Sequence, residues 1–400
     1  MESVFRARQI SEHVYWVGAI DWELRDFHGY ATPRGSTYNA YLILADKVTL
    51  IDTVKSHFKD ELLGRIASII DPEKIDYIIS NHSEMDHSGC LAEVMDIVQP
   101  ERVFASAKGV MALNAHFGLG DKVEKINKKE PLDLGNMSLT FIETPMVHWP
   151  DSMFTYLDKD KVLFSNDAFG MHLASSERFD DELNFGILEE ETAKYYANIL
   201  LPTSKLVNKL PKSLDKLGEL ELIAPDHGPI WRSHKKDVLD WYGKWSSREL
   251  KEKAVILYDT MWGSTAKIAR AIAEGLMSEG IQYKLMPLQQ NDRSEVALEV
   301  LDASALIVGS PTLNANLFPT VADALAYLEG LNPGTPNGAV FGSYGWSDKS
   351  TGKLEEWLTR MKIELVETKL TSNYVPGADA LLAGFELGVE VAQQIKKVSE

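Results

Sequence analysis

Cysteine is nearly absent from this sequence, because Cys90 is the only one in 400 residues. One thiol cannot form a disulfide within the chain, and it cannot build a thiolate-bound metal cluster. Cys90 also lies among apolar residues with helical spacing, where a small side chain usually belongs to the core. The chain therefore has no disulfide framework and no thiolate cluster of its own.

Positive charge and long apolar runs are also scarce. The net charge is −18, and basic side chains adjoin at most in pairs such as Lys128-Lys129, whereas a nucleic-acid site needs a basic face. The sequence has no apolar run of about 18 residues that could form a membrane helix. Residues 1–8 do not form a charged-then-apolar leader. We expect a cytoplasmic protein that binds neither nucleic acid nor a membrane.

Potential metal ligands crowd into residues 81–87, which contain His82, Glu84, Asp86 and His87. Residues 75–79 before them are short, branched and aromatic, which predicts a buried strand. The apolar residues of 88–98 have helical spacing. The ligands thus lie on a strand-to-helix loop, which can direct several side chains at one point. A lone buried histidine is usually part of a core, but a cluster this dense indicates a metal site.

Three further ligand candidates, His148, Asp167 and His227, each follow an apolar or β-rich run. One metal cannot easily take all the groups of so short a loop, so two metal ions are expected. Imidazole suits zinc and iron alike, whereas carboxylates favour harder ions. The predicted metal ligands are His82, Glu84, Asp86, His87, His148, Asp167 and His227.

Other periodic segments outline the first half of the chain. Strands are predicted at 14–21, 38–44, 48–52, 102–105 and 138–143, and helices at 58–70, 189–201 and 205–217. Strands that alternate with helices and hairpins indicate two sheets packed inside helical layers. Residues 246–253 are charged and lack a core pattern, which places a domain boundary there. We predict domains at 1–248 and 254–400.

The second half opens with an apolar strand, 254–258, and a loop rich in hydroxyls and glycine, 259–265. Such a loop before a helix presents N–H groups and hydroxyls to an anion. It is neither a Walker A loop nor Gly-x-Gly-x-x-Gly, so a single phosphate is a better ligand than a nucleoside triphosphate or a dinucleotide. Two later strand ends, before residues 310–316 and 342–347, carry similar loops. Doubly wound sheets bind ligands at such ends.

The metal-ligand spacing resembles the metallo-β-lactamase superfamily signature, His-x-His-x-Asp-His with a later His, Asp and His. Glu84 in place of the second histidine, together with the second domain, is similar to the flavodiiron proteins. The resemblance covers nearly the whole chain. It implies an α/β protein with an N-terminal αββα metallo-β-lactamase-like sandwich, followed by a C-terminal doubly wound flavodoxin-like domain.

The same resemblance implies the cofactors and their ligands. One iron of a non-haem di-iron site would take His82, Glu84 and His148, the other Asp86, His87 and His227, and Asp167 would bridge both. In parts of the family the residue at His87 swings away from the metal. Residues 260–265 would hold the phosphate of FMN, and the two later loops would enclose the isoalloxazine. The predicted FMN residues are Thr260, Met261, Trp262, Gly263, Ser264, Thr265, Pro311, Thr312, Leu313, Asn314, Ala315, Ser343, Tyr344, Gly345 and Trp346.

The implied activity is reduction of O2 to water, of NO to N2O, or of both, with electrons that reach the irons through FMN. Because one cysteine excludes a fused rubredoxin module, an external donor is required, either rubredoxin or a reduced deazaflavin. The family also implies a head-to-tail homodimer, which sets the FMN of one chain against the di-iron site of the other.

By resemblance, His28 and Tyr195 are candidate proton donors. Tyr195 and Tyr196 are adjacent on a predicted helix and point about 100° apart, so only one can face the site, and we predict Tyr195. Two alternatives remain open from the residues. A two-zinc hydrolase of the metallo-β-lactamase superfamily uses similar ligands, although Glu84 and the flavin domain speak against it. A flavin electron carrier with a docking scaffold would leave the metal ligands unexplained.

Overall fold

The computed structural model describes residues 4–399. The chain forms two compact units. The first comprises the chain up to His28 together with Thr32–Tyr195 and Thr203–Gly243; the second combines Gly29–Ala31, Tyr196–Pro202 and the chain from Lys244 onward. The division into 1–248 and 254–400 stays a prediction.

The strands of the chain are numbered here in sequence order. They are β1 Arg8–Gln9, β2 Val14–Trp16, β3 Ala19–Asp21, β4 Asp26–Phe27, β5 Tyr30–Ala31, β6 Ser36–Tyr38, β7 Tyr41–Ile43, β8 Thr49–Ile51, β9 Tyr77–Ser80, β10 Arg102–Ala105, β11 Val123–Lys125, β12 Leu132–Asp133, β13 Ser138–Glu143, β14 Met153–Leu157, β15 Val162–Phe164, β16 Leu222–Ala224, β17 Lys251–Tyr258, β18 Gln282–Pro287, β19 Ala303–Pro311, β20 Asn337–Tyr344, β21 Glu364–Leu365 and β22 Leu370–Asn373.

The α-helices are numbered in the same way. They are α1 Lys59–Ala67, α2 Met85–Ser88, α3 Leu91–Val98, α4 Ala107–Phe117, α5 Phe185–Tyr195, α6 Ser204–Val207, α7 Leu210–Leu214, α8 Lys235–Ser247, α9 Ser264–Ser278, α10 Arg293–Val300, α11 Pro319–Leu331, α12 Thr351–Arg360 and α13 Ala378–Ser399. In the part of the chain that the structure describes, every helix is too short or too polar to cross a membrane.

The first unit is a two-sheet sandwich. One sheet has seven strands in the order β1-β2-β7-β8-β9-β10-β11, and the other has five in the order β12-β13-β14-β15-β16. Successive side chains of a strand face opposite sides. Tyr41 and Ile43 of β7 therefore pack between the sheets with Phe141 of β13, whereas Leu42 packs outward against residues such as Leu62 of α1.

A helix also covers the outer face of the five-stranded sheet. The ring of Phe154 in β14 lies 6.3 Å from the ring of Phe169, and Phe169 lies 4.5 Å from the ring of Tyr242 in α8. Helices thus cover both outer faces, which confirms the predicted αββα sandwich. The ligand-bearing loops follow strands of both sheets.

The second unit has one parallel sheet with the order β18-β17-β19-β20-β21, and β22 also pairs with β20. The apolar β17 packs Ile256 against Ile272 of α9 and Leu387 of α13. The neighbouring Val255 and Leu257 are equally buried and face the opposite side, as alternation requires. Near-continuous apolar strands with crossover helices are typical of doubly wound sheets, so the predicted flavodoxin-like domain is confirmed.

Helices α9 and α13 approach each other closely through two glycines. A Cβ added at Gly275 would lie 2.0 Å from the carbonyl oxygen of Phe385, and one at Gly388 would lie 2.1 Å from that of Ile272. Larger side chains cannot fit at these positions without moving the helices.

Four predicted elements differ from the structure. The predicted strand 38–44 is interrupted, because Tyr38 ends β6, which pairs with β3, and β7 begins only at Tyr41. The predicted strand 14–21 is two strands, and a Cβ at Gly18 between them would lie 2.2 Å from the carbonyl oxygen of Tyr38. The predicted helix 205–217 is the pair α6 and α7, because Pro211 has no N–H to continue the first helix and instead lies in the first turn of the second. The predicted helix 189–201 starts earlier, at Phe185, and continues after Tyr195 as a π-helical turn, Tyr196–Leu200.

Candidate functional site

The ligand segment is held firmly at both ends. Asp52 accepts hydrogen bonds from the backbone N–H of Asn81 at 2.7 Å and from its side-chain amide at 2.8 Å. Ser88, at the end of α2, donates to the carbonyl oxygen of Ser83 at 2.7 Å. The predicted loop is therefore partly helical, because Asp86 and His87 lie in α2, where both are buried.

The first group of ligand candidates comprises His82, Glu84, His148 and Asp167. Glu84 Oε2 lies 3.3 Å from His82 Nε2 and 3.2 Å from His148 Nε2. Asp167 Oδ2 lies 3.3 Å from the same nitrogen of His82 and 3.2 Å from that of His148. The side-chain donor atoms thus converge on one small volume.

The second group comprises Asp86, His87 and His227. Asp86 lies 3.4 Å from His87 Nε2 through Oδ1 and 3.2 Å from His227 Nε2 through Oδ2. Asp167 Oδ1 lies 3.2 Å from His87 Nε2 and 3.3 Å from His227 Nε2. The two oxygens of Asp167 therefore face different groups: Oδ2 faces the first group and Oδ1 faces the second. The ring of His87 also faces the second group.

The chemistry of this donor set fits metal ions. Within residues 4–397, the buried atoms Asp86 Oδ1, Asp86 Oδ2, His87 Nε2 and Asp167 Oδ2 have no hydrogen-bond partner. Leaving such groups unsatisfied costs about 1–3 kcal/mol each. A cation between the carboxylates and the imidazoles removes that cost, and this mixture of nitrogen and oxygen donors suits iron or zinc better than magnesium.

The pKa values of the site reflect the crowding of charge. Burial raises the pKa of the Asp167 carboxyl, but the imidazoles of His87, His148 and His227 outweigh burial and hold that pKa well below its usual range. Burial lowers the pKa of His82, yet its contacts with Asp151 and Glu84 outweigh burial and raise the pKa to about 10. Carboxylates and imidazoles in the metal-free site therefore form ion pairs.

Partners behind the ligands were missed in the sequence. Asp151 Oδ2 lies 3.2 Å from His82 Nδ1 and accepts from the backbone N–H of Ser83 at 2.7 Å. His227 Nδ1 lies 2.6 Å from the carbonyl oxygen of Thr37. Asp226 Oδ2 lies 3.5 Å from His87 Nδ1. Outer partners of this kind fix the ring orientation of metal-binding histidines. Asp151 and Asp226 could have been found in the sequence, because each carboxylate lies within three residues of a predicted ligand, His148 or His227.

Tyr195 lies at the site. Its hydroxyl donates to Asp167 Oδ1 at 2.9 Å, and burial raises its pKa well above the usual value. The ring of Tyr196 instead lies 5.2 Å from that of Trp245. His172 is a buried histidine that the sequence did not single out. Its ring lies 5.1 Å from the Tyr195 ring and 4.7 Å from the His227 ring.

His28 lies farther out. Its side chain is 79% exposed, and its Nε2 lies 3.9 Å from Glu84 Oε1, beyond hydrogen-bond distance. It lines a cavity of about 440 Å³ together with Phe27, Lys55, Glu84 and Asp86. Two carboxylates of the candidate metal groups, Glu84 and Asp86, thus line this cavity.

A second cavity, of about 630 Å³, lies at the carboxyl ends of β17, β19 and β20. Most of the predicted FMN residues line it, namely Met261, Trp262, Ser264, Pro311, Thr312, Leu313, Asn314, Ala315, Ser343, Tyr344, Gly345 and Trp346. Ser347, Lys349, Tyr374 and Val375 also line it and were not predicted.

Three predicted FMN residues, Thr260, Gly263 and Thr265, are not part of this lining. Thr260 Oγ1 accepts from the backbone N–H of Gly263 at 3.1 Å. Thr265 is buried, and its Oγ1 lies 2.8 Å from Ser343 Oγ. Their hydrogen bonds hold the first loop in shape and tie it to the third.

The cavity suits a planar phosphorylated ligand. Trp262 and Trp346 are each 93% exposed on its rim, which offers flat apolar surface to an aromatic ring. The 15-residue helix α9 begins at this rim after Gly263, whose φ is +84°, and a helix N-terminus attracts a phosphate.

Two family models match the chain. Residues 37–228 match "ODP family beta lactamase", and residues 256–388 match "Flavodoxin". The fold and the two cavities therefore define a two-domain protein that joins a β-lactamase-type metal domain to a flavodoxin.

Known proteins are similar to this chain over nearly its full length. The chain is 45% identical to a nitric oxide reductase of Moorella thermoacetica, over 96% of this chain and 98% of that one. The rubredoxin oxygen:oxidoreductase structure from Desulfovibrio gigas superposes with a TM-score of 0.95 at 42% identity, covering 98% and 99% of the chains. The flavodiiron protein of Giardia intestinalis gives 0.94 at 32% identity, covering 98% and 97%.

The chain belongs to the flavodiiron proteins. This confirms the resemblance found in the sequence and makes the protein an oxidoreductase. Membership in the family, together with the flavodoxin domain, implies FMN and a non-haem di-iron site. The two-zinc hydrolase does not account for the flavodoxin half.

Proposed function

We propose that this protein reduces O2 to water, NO to N2O, or both, with electrons from an external donor. The observation that carries the proposal is the position of Asp167, which turns one carboxylate oxygen toward each of two ligand groups. When bound, two ferrous ions would supply electrons to the diatomic substrate, and FMN would deliver electrons to the irons.

We assign the metal ligands by the same geometry. His82, Glu84 and His148 would hold one iron, and Asp86, His87 and His227 the other. Asp167 would bridge them. When bound, an iron that takes more than four ligands would keep a position for substrate beside these protein groups. The grouping of donor atoms within 4.8 Å of one another supports this assignment.

The residues around the metal groups would confine the substrate and supply protons. The 440 Å³ cavity beside Glu84 and Asp86 is lined mostly by polar side chains, with Phe27 and Met85 as its large apolar residues, and it would give a small gas molecule access to the site. Tyr195 would hold a proton at its hydroxyl oxygen, kept in place by the hydrogen bond to Asp167. His28 would exchange protons at the solvent side of the cavity.

The predicted FMN loops would bind the cofactor in the 630 Å³ cavity. Residues 260–265 would meet the phosphate at the start of α9, and the loops after β19 and β20 would enclose the ring. Ser347, Lys349, Tyr374 and Val375 join this set of residues.

The donor and the assembly are also proposals. Rubredoxin is the first candidate for the donor, and a reduced deazaflavin is the second. The active form would be a head-to-tail homodimer in the cytoplasm, because electron transfer requires the flavin and the irons to approach closely.

The test is metal and flavin content on anaerobically purified protein, followed by mixing of the reduced form with O2 and with NO. We expect about two irons and about one FMN per chain, with fast flavin reoxidation by at least one gas. Zinc in place of iron, without reoxidation by either gas, would overturn the proposal. Adding reduced rubredoxin or reduced deazaflavin as the only reductant then identifies the donor.

A further inference from the structure

The flavin cavity has an unusual distribution of charge. Within the described part of the chain, its lining consists of apolar, aromatic, hydroxyl and amide side chains and one charged side chain, Lys349. The lining contains neither aspartate nor glutamate. A ligand in this cavity would therefore meet a single positive charge and no opposing carboxylate.

The backbone of Lys349 is fixed, whereas its ammonium group is available. The Lys349 N–H donates to Thr312 Oγ1 at 3.1 Å, which ties the loop after β20 to the loop after β19. Among residues 4–397, no carboxylate oxygen lies within 4.0 Å of the Lys349 Nζ.

The neighbouring carboxylate of Asp348 is engaged elsewhere. Its Oδ1 accepts from the backbone N–H of Ser350 at 3.0 Å and of Thr351 at 3.3 Å, and its Oδ2 accepts from the Thr351 hydroxyl. These bonds cap the start of α12. Asp348 therefore keeps its negative charge among these donors, and among the described residues it forms no ion pair with the Lys349 ammonium group.

We propose that Lys349 binds the isoalloxazine of FMN and stabilises its reduced form. The inference rests on the proposed function, in which this cavity holds FMN. An external reductant adds two electrons to the oxidised ring, and solvent adds one proton, so the fully reduced ring carries one negative charge more. That charge lies on the N1–C2=O edge of the ring. Lys349 attracts it more strongly than it attracts the neutral oxidised ring.

The ring, and not the phosphate, is the partner because of where Lys349 lies in the chain. The phosphate is assigned to residues 260–265 at the start of α9, whereas Lys349 follows the loop 343–347, which is assigned to the ring. The two possibilities differ in a measurable way. A phosphate keeps its charge when the ring is reduced, so a lysine on the phosphate would strengthen binding of both redox states equally.

The test compares Lys349→Met with the wild-type holoenzyme. Anaerobic equilibrium titrations with reference dyes give the midpoint potential of the bound flavin. Fluorescence titration of flavin-depleted, full-length protein gives the Kd of oxidised FMN. In Lys349→Met we expect reduced FMN to bind about tenfold less tightly relative to oxidised FMN, which lowers a two-electron midpoint by about 30 mV. The Kd of oxidised FMN should change by less than about twofold.

Two further variants and one condition sharpen the test. Lys349→Arg keeps the charge and should restore the wild-type midpoint. Lys397→Met removes an exposed lysine of α13 that is not part of the lining, and it should leave the midpoint unchanged. Because the contact is near solvent, the difference between Lys349→Met and wild type should shrink as ionic strength rises.

Two results would overturn the inference, and a third would refute the proposed function on which it rests. Equal weakening of oxidised and reduced FMN in Lys349→Met would place the lysine on the phosphate. An unchanged midpoint and an unchanged Kd would remove it from the flavin site. A wild-type protein that binds no FMN at all would instead refute the proposed function, so the two failures are distinguishable.

Discussion

Asp167 is the residue on which the two metal groups depend, because each of its oxygens faces a different group. Replacing it by Asn exchanges one oxygen for an amide that cannot bind a cation. In Asp167→Asn we expect metal affinity to fall at least about tenfold and gas reduction to be lost. The measurement is iron per chain after anaerobic reconstitution and gel filtration.

The control for that variant is Asp96→Asn, at an exposed carboxylate of α3. It should retain the full iron content of the wild type. A wild-type iron content in Asp167→Asn would show that the carboxylate does not bridge two ions.

Tyr195 contributes a single hydroxyl to the site, and Tyr195→Phe removes that hydroxyl while it keeps the ring. We expect turnover with the preferred gas to fall about tenfold or more while iron and FMN contents stay at wild-type values, since a positioned proton donor typically contributes a factor of about 100 or more. Stopped-flow reoxidation of the reduced enzyme measures this. Tyr156→Phe, which removes a hydroxyl bonded to the Glu219 carbonyl oxygen, should keep wild-type turnover. Unchanged turnover with both gases would remove Tyr195 from the mechanism.

The raised pKa values of the candidate ligand histidines make metal binding depend on pH. At His82, His87, His148 and His227 the contacts with carboxylates outweigh burial and raise the pKa. Burial lowers the pKa of His227, but its contacts with Asp167 and Asp86 outweigh burial and raise the pKa to about 9; the pKa of His82 is raised to about 10. In the metal-free protein both rings are therefore protonated at neutral pH, and a metal ion must displace the protons.

We expect the affinity for ferrous iron to rise with pH from 7 to 9, by about tenfold per pH unit for each imidazole proton that the metal displaces. Anaerobic calorimetry in two buffers with different ionisation enthalpies counts the released protons. Asp151→Asn removes one cause of the raised His82 pKa, so this variant should release fewer protons. An affinity that does not change between pH 7 and 9 would contradict the assignment of these rings as ligands.

At the scale of the element, the closest approach lies between α9 and α13. A methyl group at Gly275 has no space, since its Cβ would meet the carbonyl oxygen of Phe385 at 2.0 Å. Gly275→Ala should lower the free energy of unfolding of the second unit by about 1–3 kcal/mol. Denaturant unfolding, followed by flavin fluorescence, gives this difference.

Gly352→Ala is the matched control, because this helical glycine of α12 has no atom within 4 Å of its added Cβ. It should be neutral or stabilise the protein by up to about 1 kcal/mol. If both alanine variants had the same stability, the helices would not be in the close contact described above.

Elements were predictable from the sequence where one periodicity dominates. Strands β10 and β13 have the predicted bounds because their apolar residues have clear branched or alternating patterns. The break at Gly18 was not predictable, because it depends on Tyr38, which pairs with Ala19 only after the fold has formed. The split at Pro211 could have been predicted from the missing N–H alone.

The site was predictable to the extent that its residues cluster along the chain. His82, Glu84, Asp86 and His87 stand out within one loop, and their spacing resembles a known family. Asp151 reaches His82 across 69 residues, and the backbone N–H of Tyr374 donates to the carbonyl oxygen of Tyr344 at the end of β20. Such partners are set by strand order, which a single sequence does not reveal.

At the scale of the whole molecule, exposed aromatic residues around the flavin cavity support an assembly. Trp262 and Trp346 are almost fully exposed, and large apolar side chains grouped on a surface mark interaction sites. We expect a particle of about twice the 44.7 kDa of one chain in gel filtration with light scattering. A fully active monomer would contradict the proposed dimer.

The solitary Cys90 is completely buried in the core of the first unit. Thiol reagents should therefore leave the folded native chain almost unlabelled. One exposed residue, such as Met111 on α4, can then be changed to cysteine without first removing any other thiol. A spin label at that position would give one distance between the two copies in a dimer. Distances from labels at a few such positions would define how the two copies are arranged.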